Sequence, residues 1–233
     1  MKRLICLLCI AALSILSLFS CNNDDEWEKQ VAAYRAAKRA AYILENERYA
    51  DYEVDAAFIG DSLTDAYNVE EYYPNIIVSN RGIGGDKTYD LYGRLQVSLY
   101  DLKPKVVVML IGGNNLDSMF DDYEDILIGF KENLPKTKII LLSLTSMGGE
   151  HWGKNNELAA YNNVKIKLLA EKYGHCFVDL YTPLFNLESG EIYSEYTTDG
   201  GHLTEKGYEV LTREIMPNLT AQLYLWKTEF GGD

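Results

Sequence analysis

Two stretches of the chain, Val106-Val107-Val108-Met109-Leu110-Ile111 and Ile139-Ile140-Leu141-Leu142, are apolar at every position. A strand that is apolar on both alternation phases must be covered on both faces, which is the condition of a parallel sheet lined by helices on each side. Further short apolar runs at 55–60, 76–80 and 176–180 alternate with longer segments of helical period, and a helix over 204–226 closes the chain. The β-α-β rhythm predicts an α/β fold with a central parallel sheet of about five strands between helical layers. With 233 residues, 47% of them hydrophobic, the chain can bury one substantial core. That core is assigned to a single domain over 51–233, with no internal repeat and no low-complexity linker.

The N-terminal segment is set apart from this pattern. Lys2 and Arg3 precede an uncharged apolar run over 4–19, so residues 1–20 read as a targeting segment. The run ends in Leu18-Phe19-Ser20-Cys21, which resembles the lipobox of bacterial lipoproteins, where cleavage precedes a cysteine that becomes lipid-modified. The alternative is a transmembrane anchor, for which the run sits at the short end of the roughly 17–25 residues a bilayer requires. The lipoprotein reading makes the protein an exported, membrane-anchored lipoprotein at the cell surface or the periplasmic face, attached through Cys21. Cleavage would also leave Cys176 as the one unmodified thiol, so no intrachain disulfide is expected. Asn22-Asn23-Asp24-Asp25-Glu26 reads as a solvated tether, and 27–49 as an amphipathic helix with Val31, Tyr34, Ala37, Ala41 and Ile43 at helical spacing. Together they form a tether and helix over 21–50. A net charge of -13 repels phosphate backbones, which argues against a nucleic-acid partner.

In a doubly wound sheet ligands gather beyond the carboxyl ends of the strands. Gly60-Asp61-Ser62-Leu63-Thr64-Asp65 follows the first apolar run, and Asn80-Arg81-Gly82-Ile83-Gly84-Gly85-Asp86 follows the second. Gly112-Gly113-Asn114-Asn115 and Ser146-Met147-Gly148-Gly149-Glu150-His151-Trp152 follow the third and fourth, and Asp199-Gly200-Gly201-His202 comes after the fifth. Only three histidines are available as a base. His175, beside Gly174 at the start of an apolar run, reads as a turn residue. His151, beside Trp152, is either a rim residue or a substrate contact. His202 follows Asp199 at a spacing that lets the carboxylate hold a ring nitrogen. Ser62 sits at a strand-to-helix turn, as an exposed nucleophile or as a helix N-cap. The Gly84-Gly85 turn lets backbone amide approach a ligand, and Asn114 brings a side-chain amide to the same end, although each also fits an ordinary turn. Asp61 reads as a loop-bonding residue and Asp65 as a first-turn acid favoured by the helix dipole.

These residues resemble the four sequence blocks of the SGNH or GDSL-like hydrolases, and the resemblance spans most of the chain after the targeting segment. Gly60-Asp61-Ser62-Leu63 matches the first block and Asn80-x-Gly82-x-x-Gly85 the second. Gly112-x-Asn114 matches the third, and Asp199-x-x-His202 followed by Leu203-Thr204-x-x-Gly207-Tyr208 the last. The resemblance implies a flavodoxin-like α/β/α sandwich and a serine esterase with Ser62 as nucleophile, His202 as base and Asp199 as its orienting carboxylate. It implies an oxyanion hole from the amides of Ser62 and Gly85 and the side chain of Asn114, and it requires neither metal nor organic cofactor. One departure is Asn115, where the third block usually has aspartate; the change bears on loop geometry rather than on the chemistry.

The family spans carbohydrate acetylesterases, phospholipid acetylhydrolases, lysophospholipases and thioesterases. Arg81-Gly82-Ile83-Gly84-Gly85 most resembles its acetylhydrolase-like branch, which implies a short acyl group. With export, the expected substrate is an acetylated glycan or other small ester. A lipid-directed acylhydrolase and a non-catalytic glycan-binding surface protein are the alternatives. Trp152 and the tyrosines Tyr67, Tyr72 and Tyr73 could offer aromatic faces to a sugar, or the tyrosines could simply pack. The oligomeric state is left open by the sequence.

Overall fold

The computed structural model describes residues 24–231, so the targeting segment and Cys21 lie outside the described residues. The chain divides after Ala37 into two units, and everything from Lys38 onward belongs to the second. A first helix, α1 (Asp24–Asn46), runs from one unit into the other. It ends earlier than the 27–49 pattern predicts, because Asn46 turns its side chain to the Val97 carbonyl and the amides of Arg48 and Tyr49 fold back onto Glu45 and Asn46. Among the described residues, no helix is long and apolar enough to cross a membrane.

Five strands form the expected sheet: β1 (Ala56–Gly60), β2 (Val78–Gly82), β3 (Val106–Leu110), β4 (Lys138–Leu142) and β5 (Cys176–Val178). All pairs are parallel and the order is β2-β1-β3-β4-β5, the flavodoxin-like order. Every residue of β1 and β3 is buried, as the uninterrupted apolar runs require. The helices that flank the sheet include α2 (Ser62–Asp65), α3 (Val69–Tyr72), α4 (Thr88–Tyr92), α5 (Phe120–Asn133), α6 (Gly149–Trp152) and α7 (Asn156–Tyr173). They are followed by α8 (Tyr181–Leu184) and the long α9 (Glu205–Phe230). The architecture is a three-layer α/β/α sandwich. A short antiparallel pair, β6 (Phe185–Asn186) with β7 (Glu191–Ile192), was not legible in the apolar pattern, since two residues are too few to show an alternation.

Strand β2 lies two residues later than the sequence pattern places it, because Ala56 pairs with both Val78 and Val106. That register brings Gly60, Gly82 and Leu110 level at one edge of the sheet. Gly60 and Gly82 are required there by space alone. A Cβ on Gly60 would fall 2.0 Å from the Leu110 carbonyl oxygen, and one on Gly82 would fall 2.2 Å from the Asp65 nitrogen. The chain therefore leaves β1 into α2 pressed directly against the end of β2.

Beneath this edge lies a buried guanidinium. Arg94, 3% exposed, donates through Nε to Asp86 Oδ2 at 2.7 Å and through its terminal nitrogens to the Arg81 carbonyl, the Ser98 hydroxyl and the Gly60 carbonyl. Asp86 is equally buried. Tyr67 and Tyr73 prove to be packing residues: both are buried, their hydroxyls meet at 3.0 Å, and Tyr67 stacks on Tyr208 at a centroid distance of 5.0 Å. His175 is the turn residue expected of it. It follows the left-handed Gly174 that ends α7, and its amide closes onto the Ala170 carbonyl. Burial pushes its imidazole down to about 4. Cys176 is a free thiol.

Removing one partner of a buried ion pair leaves the other charge desolvated and unpaired, at a cost of about 3–5 kcal/mol. Arg94→Met is expected to lower the unfolding free energy by that amount in urea titrations. Lys103→Met, at the exposed pair with Asp51, should leave the midpoint where it is.

Candidate active site

Asp61, the last residue before α2, caps that helix: its Oδ1 accepts the Leu63 amide at 3.1 Å. Ser62 is thereby spared the N-cap role, and its hydroxyl meets His202 Nε2 at 3.1 Å. His202 Nδ1 is 2.8 Å from Asp199 Oδ2. The other carboxylate oxygen accepts the backbone amides of Gly201 and His202 at 2.9 and 2.7 Å. Burial alone would push the Asp199 carboxyl up. The His202 amide and ring and the Gly201 amide outweigh it and hold the group down at about 2. Asp199 is exposed, so these three N–H contacts, rather than enclosure, fix its orientation.

The segment carrying His202 is anchored by its own backbone. The His202 carbonyl accepts the Thr198 amide at 2.9 Å and the Thr197 hydroxyl at 2.7 Å. Thr204 then caps α9 by accepting the Gly207 amide. Gly207 fits because a Cβ there would lie 2.5 Å from the Tyr196 carbonyl oxygen. At the far end of α9's first turns, Tyr208 donates its hydroxyl to the Leu63 carbonyl, one residue past the serine.

On the other side of Ser62, Asn80 ties the end of α2 to the end of β2. Its side-chain amide donates to the Thr64 and Tyr67 carbonyls at 2.7 and 2.8 Å and its oxygen accepts the Gly82 amide at 2.8 Å. The loop that follows turns through Gly85 at φ +77°, a left-handed conformation suited to glycine, where the backbone is exposed. Asn114 donates one amide hydrogen to the Asp86 carbonyl at 3.0 Å. Asn115 is bonded to Thr88, accepting its amide and donating to its hydroxyl. Asp65 is the first-turn acid of α2, and its carboxylate also meets Lys38 Nζ at 2.6 Å and accepts the Gly84 amide at 2.9 Å.

Ser62, Asn114, His202 and Trp152 line one small cavity of about 30 Å³, with Asp61, Leu63, Leu110, Leu144 and Met147 among its other walls. Gly85 and His151 are not among the residues that line it. Trp152 lies edge-on to His202 at 5.9 Å and packs so closely on Gly201 that a Cβ there would fall 2.5 Å from the indole. His151 is exposed and lies at right angles to Trp152, at 5.0 Å between ring centroids. The sequence pattern did not single out Leu144, Thr145 or Met147 as lining residues, because nothing in their chemistry distinguishes them from core.

A seryl hydroxyl aligned with an imidazole and a carboxylate, beside a side-chain amide at the carboxyl end of a parallel sheet, is an arrangement suited to acyl transfer by a hydrolase. The comparisons with known proteins agree. Residues 58–210 match the GDSL-like Lipase/Acylhydrolase family, and the chain belongs to that family. It is 29% identical over 211 residues to platelet-activating factor acetylhydrolase IB subunit alpha2 of Homo sapiens, with 83% of each chain covered. A provisionally assigned platelet activating factor structure from Streptococcus pneumonia superimposes with a TM-score of 0.73 at 26% identity, covering 83% of this chain and 96% of that one. The acetylxylan esterase Axe2 from Geobacillus stearothermophilus shares the fold, with a TM-score of 0.59 at 21% identity over 72% of this chain and 95% of that one. The protein is an ester-bond hydrolase of the SGNH type.

The buried Asp61 gives the site a pH signature. Burial raises its carboxyl from the usual 3.8 to about 7, against the lowering effect of the Leu63 amide. The folded state therefore holds a proton that the unfolded chain releases, and stability falls as pH rises from about 4 to about 7. His175 acts in the opposite sense, losing its contribution as pH falls from 6.5 to about 4. The difference between the wild type and Asp61→Asn isolates the first effect. Urea midpoints measured across that window should show the variant gaining on the wild type steadily toward pH 7.

Proposed function

We propose that the protein is a serine esterase that removes short acyl groups, chiefly acetyl, from carbohydrate or a similar polar alcohol. The observation that carries this reading is the size of the cavity beside Ser62. About 30 Å³ accommodates two water-sized groups, as an acetyl methyl and carbonyl require. The acetyl-ester specificities in the names of the human and Geobacillus relatives point the same way.

In this reading His202 Nε2 takes the proton of the Ser62 hydroxyl as Oγ bonds to the ester carbonyl carbon. Asp199 holds Nδ1–H and stabilises the imidazolium. The carbonyl oxygen becomes an oxyanion, met by the amides of Ser62 and Gly85 and by the second amide hydrogen of Asn114, whose first hydrogen is held by the Asp86 carbonyl. Collapse breaks the bond to the alcohol, which leaves with the proton from His202. Water, deprotonated by the same imidazole, then releases the acid and restores Ser62. Trp152, at the mouth beside His202, offers the indole face against which the alcohol portion would rest. With the sequence expectation of a lipid-bearing Cys21, we place this activity outside the cytoplasm, on glycans or other external esters.

Hydrolysis of p-nitrophenyl acetate, butyrate and octanoate is expected to fall steeply with chain length and to vanish in Ser62→Ala. Asn114→Ala should lose about 10²–10³ in kcat with Ser62 intact. Octanoate preference would instead favour a lipid-directed acylhydrolase, and acetate turnover that survives in Ser62→Ala would remove the serine from the mechanism.

A further inference from the structure

We propose that the last turns of α1, residues 38–46, hold the loop after β2 in the geometry that oxyanion binding requires, with Lys38, Tyr42 and Asp65 as positioning residues. The inference rests on the reading of that loop, through the Gly85 amide, as part of an oxyanion hole.

Two separate threads run from the helix to the loop. In the first, Lys38 Nζ lies 2.6 Å from Asp65 Oδ1, while Asp65 Oδ2 accepts the Gly84 amide at 2.9 Å. The lysine and aspartate side chains are only 24% and 15% exposed, so the pair is partly shielded from solvent and salt. In the second, the buried Tyr42 donates its hydroxyl to the Gly82 carbonyl at 2.6 Å. That ring is itself held in place: the Arg81 guanidinium lies over it at 4.9 Å and donates to the Tyr42 carbonyl, while Glu45 reaches both Arg81 and Ser79.

Gly82 and Gly84 flank Ile83 immediately before Gly85, so the helix grips the loop on the residues that set the direction of the Gly85 amide. The gripped backbone leaves little play, since Gly82 already abuts Asp65 without room for a Cβ. A fixed amide is what such a hole needs, because a donor that must reorient as charge develops contributes less to the transition state. Lys38 and Tyr42 precede residue 58, where the family match begins.

The test compares kcat and KM for p-nitrophenyl acetate in Lys38→Met, Lys38→Arg, Tyr42→Phe, Asp65→Ala and Asp65→Asn, with Asn114→Ala as reference. Rates are normalised to active sites titrated with a fluorophosphonate, and thermal midpoints are measured alongside. Asp65→Ala is expected to lower kcat on the order of tenfold with KM nearly unchanged. Asp65→Asn, which keeps an acceptor for Gly84, should fall between it and the wild type, and Lys38→Arg should recover most of what Lys38→Met loses. Normalised kcat within twofold of wild type in Lys38→Met, Tyr42→Phe and Asp65→Ala, beside a large loss in Asn114→Ala, would overturn the positioning role and leave the oxyanion reading standing. An unchanged kcat in Asn114→Ala would overturn both. Loss of thermal stability and of titratable sites with normalised kcat intact would reduce the contacts to ordinary packing and also overturn the proposal.

Discussion

The Arg94 guanidinium is the constraint on which the catalytic end of the sheet depends. Two strands that stop side by side leave carbonyls pointing out of the ladder, and burying such groups without partners costs roughly 1–3 kcal/mol each. Arg94 donates to the Arg81 carbonyl and to the Gly60 carbonyl, which also accepts the Ile83 amide, and directs further donors to Asp86 and Ser98. Asp86, pinned by the guanidinium, presents its own carbonyl to Asn114. One buried charge thus sets the distance between the strand that delivers Ser62, the loop that delivers Gly85 and the side chain of Asn114. The arrangement also explains why a cation is tolerated in the interior, since four of the five N–H donors of the fork end on acceptors.

Much of the architecture was legible because parallel strands buried on both faces write themselves as unbroken apolar runs. β3 and β4 could be read that way, as could the residues that follow them. The site blocks were legible for a related reason: strand ends are where backbone geometry demands glycine and where polar groups must serve either turn or chemistry. What could not be read were relations across space. Asp86 ends the glycine loop after β2 and Arg94 follows a short helix, and nothing in either position shows that the two charges meet in the interior. Asp65 is the helix-start acid it looked like, but nothing in the sequence shows that it also joins Lys38 to Gly84. Ser62 could be a nucleophile or a helix N-cap in the sequence, and only the cap geometry shows that Asp61, read as a loop-bonding residue, takes the cap. The tyrosines at 67 and 73 could have served a sugar or a core equally well, because a phenol suits both, and burial decided for the core.

The Asp199–His202 pair shows a different way to orient a base. Burial would restrict the carboxylate by excluding alternatives, at the cost of desolvating it. Here the carboxylate faces solvent and is held by two backbone amides and a ring N–H, all within a four-residue turn. The turn does the work of an enclosing wall. It leaves the imidazole at an open mouth rather than under a lid, with Trp152 as its neighbour and Gly201 as the gap that admits the indole.

Ser62 and His202 meet across 140 residues of sequence, and the histidine is brought in by a turn and cap that belong to the final helix of the chain. During synthesis the serine, the glycine loop and the asparagine all emerge well before their base. On the triad mechanism proposed above, a nascent or truncated polypeptide lacking that last segment has the hydroxyl without its base, so completion of the fold and acquisition of reactivity are the same event.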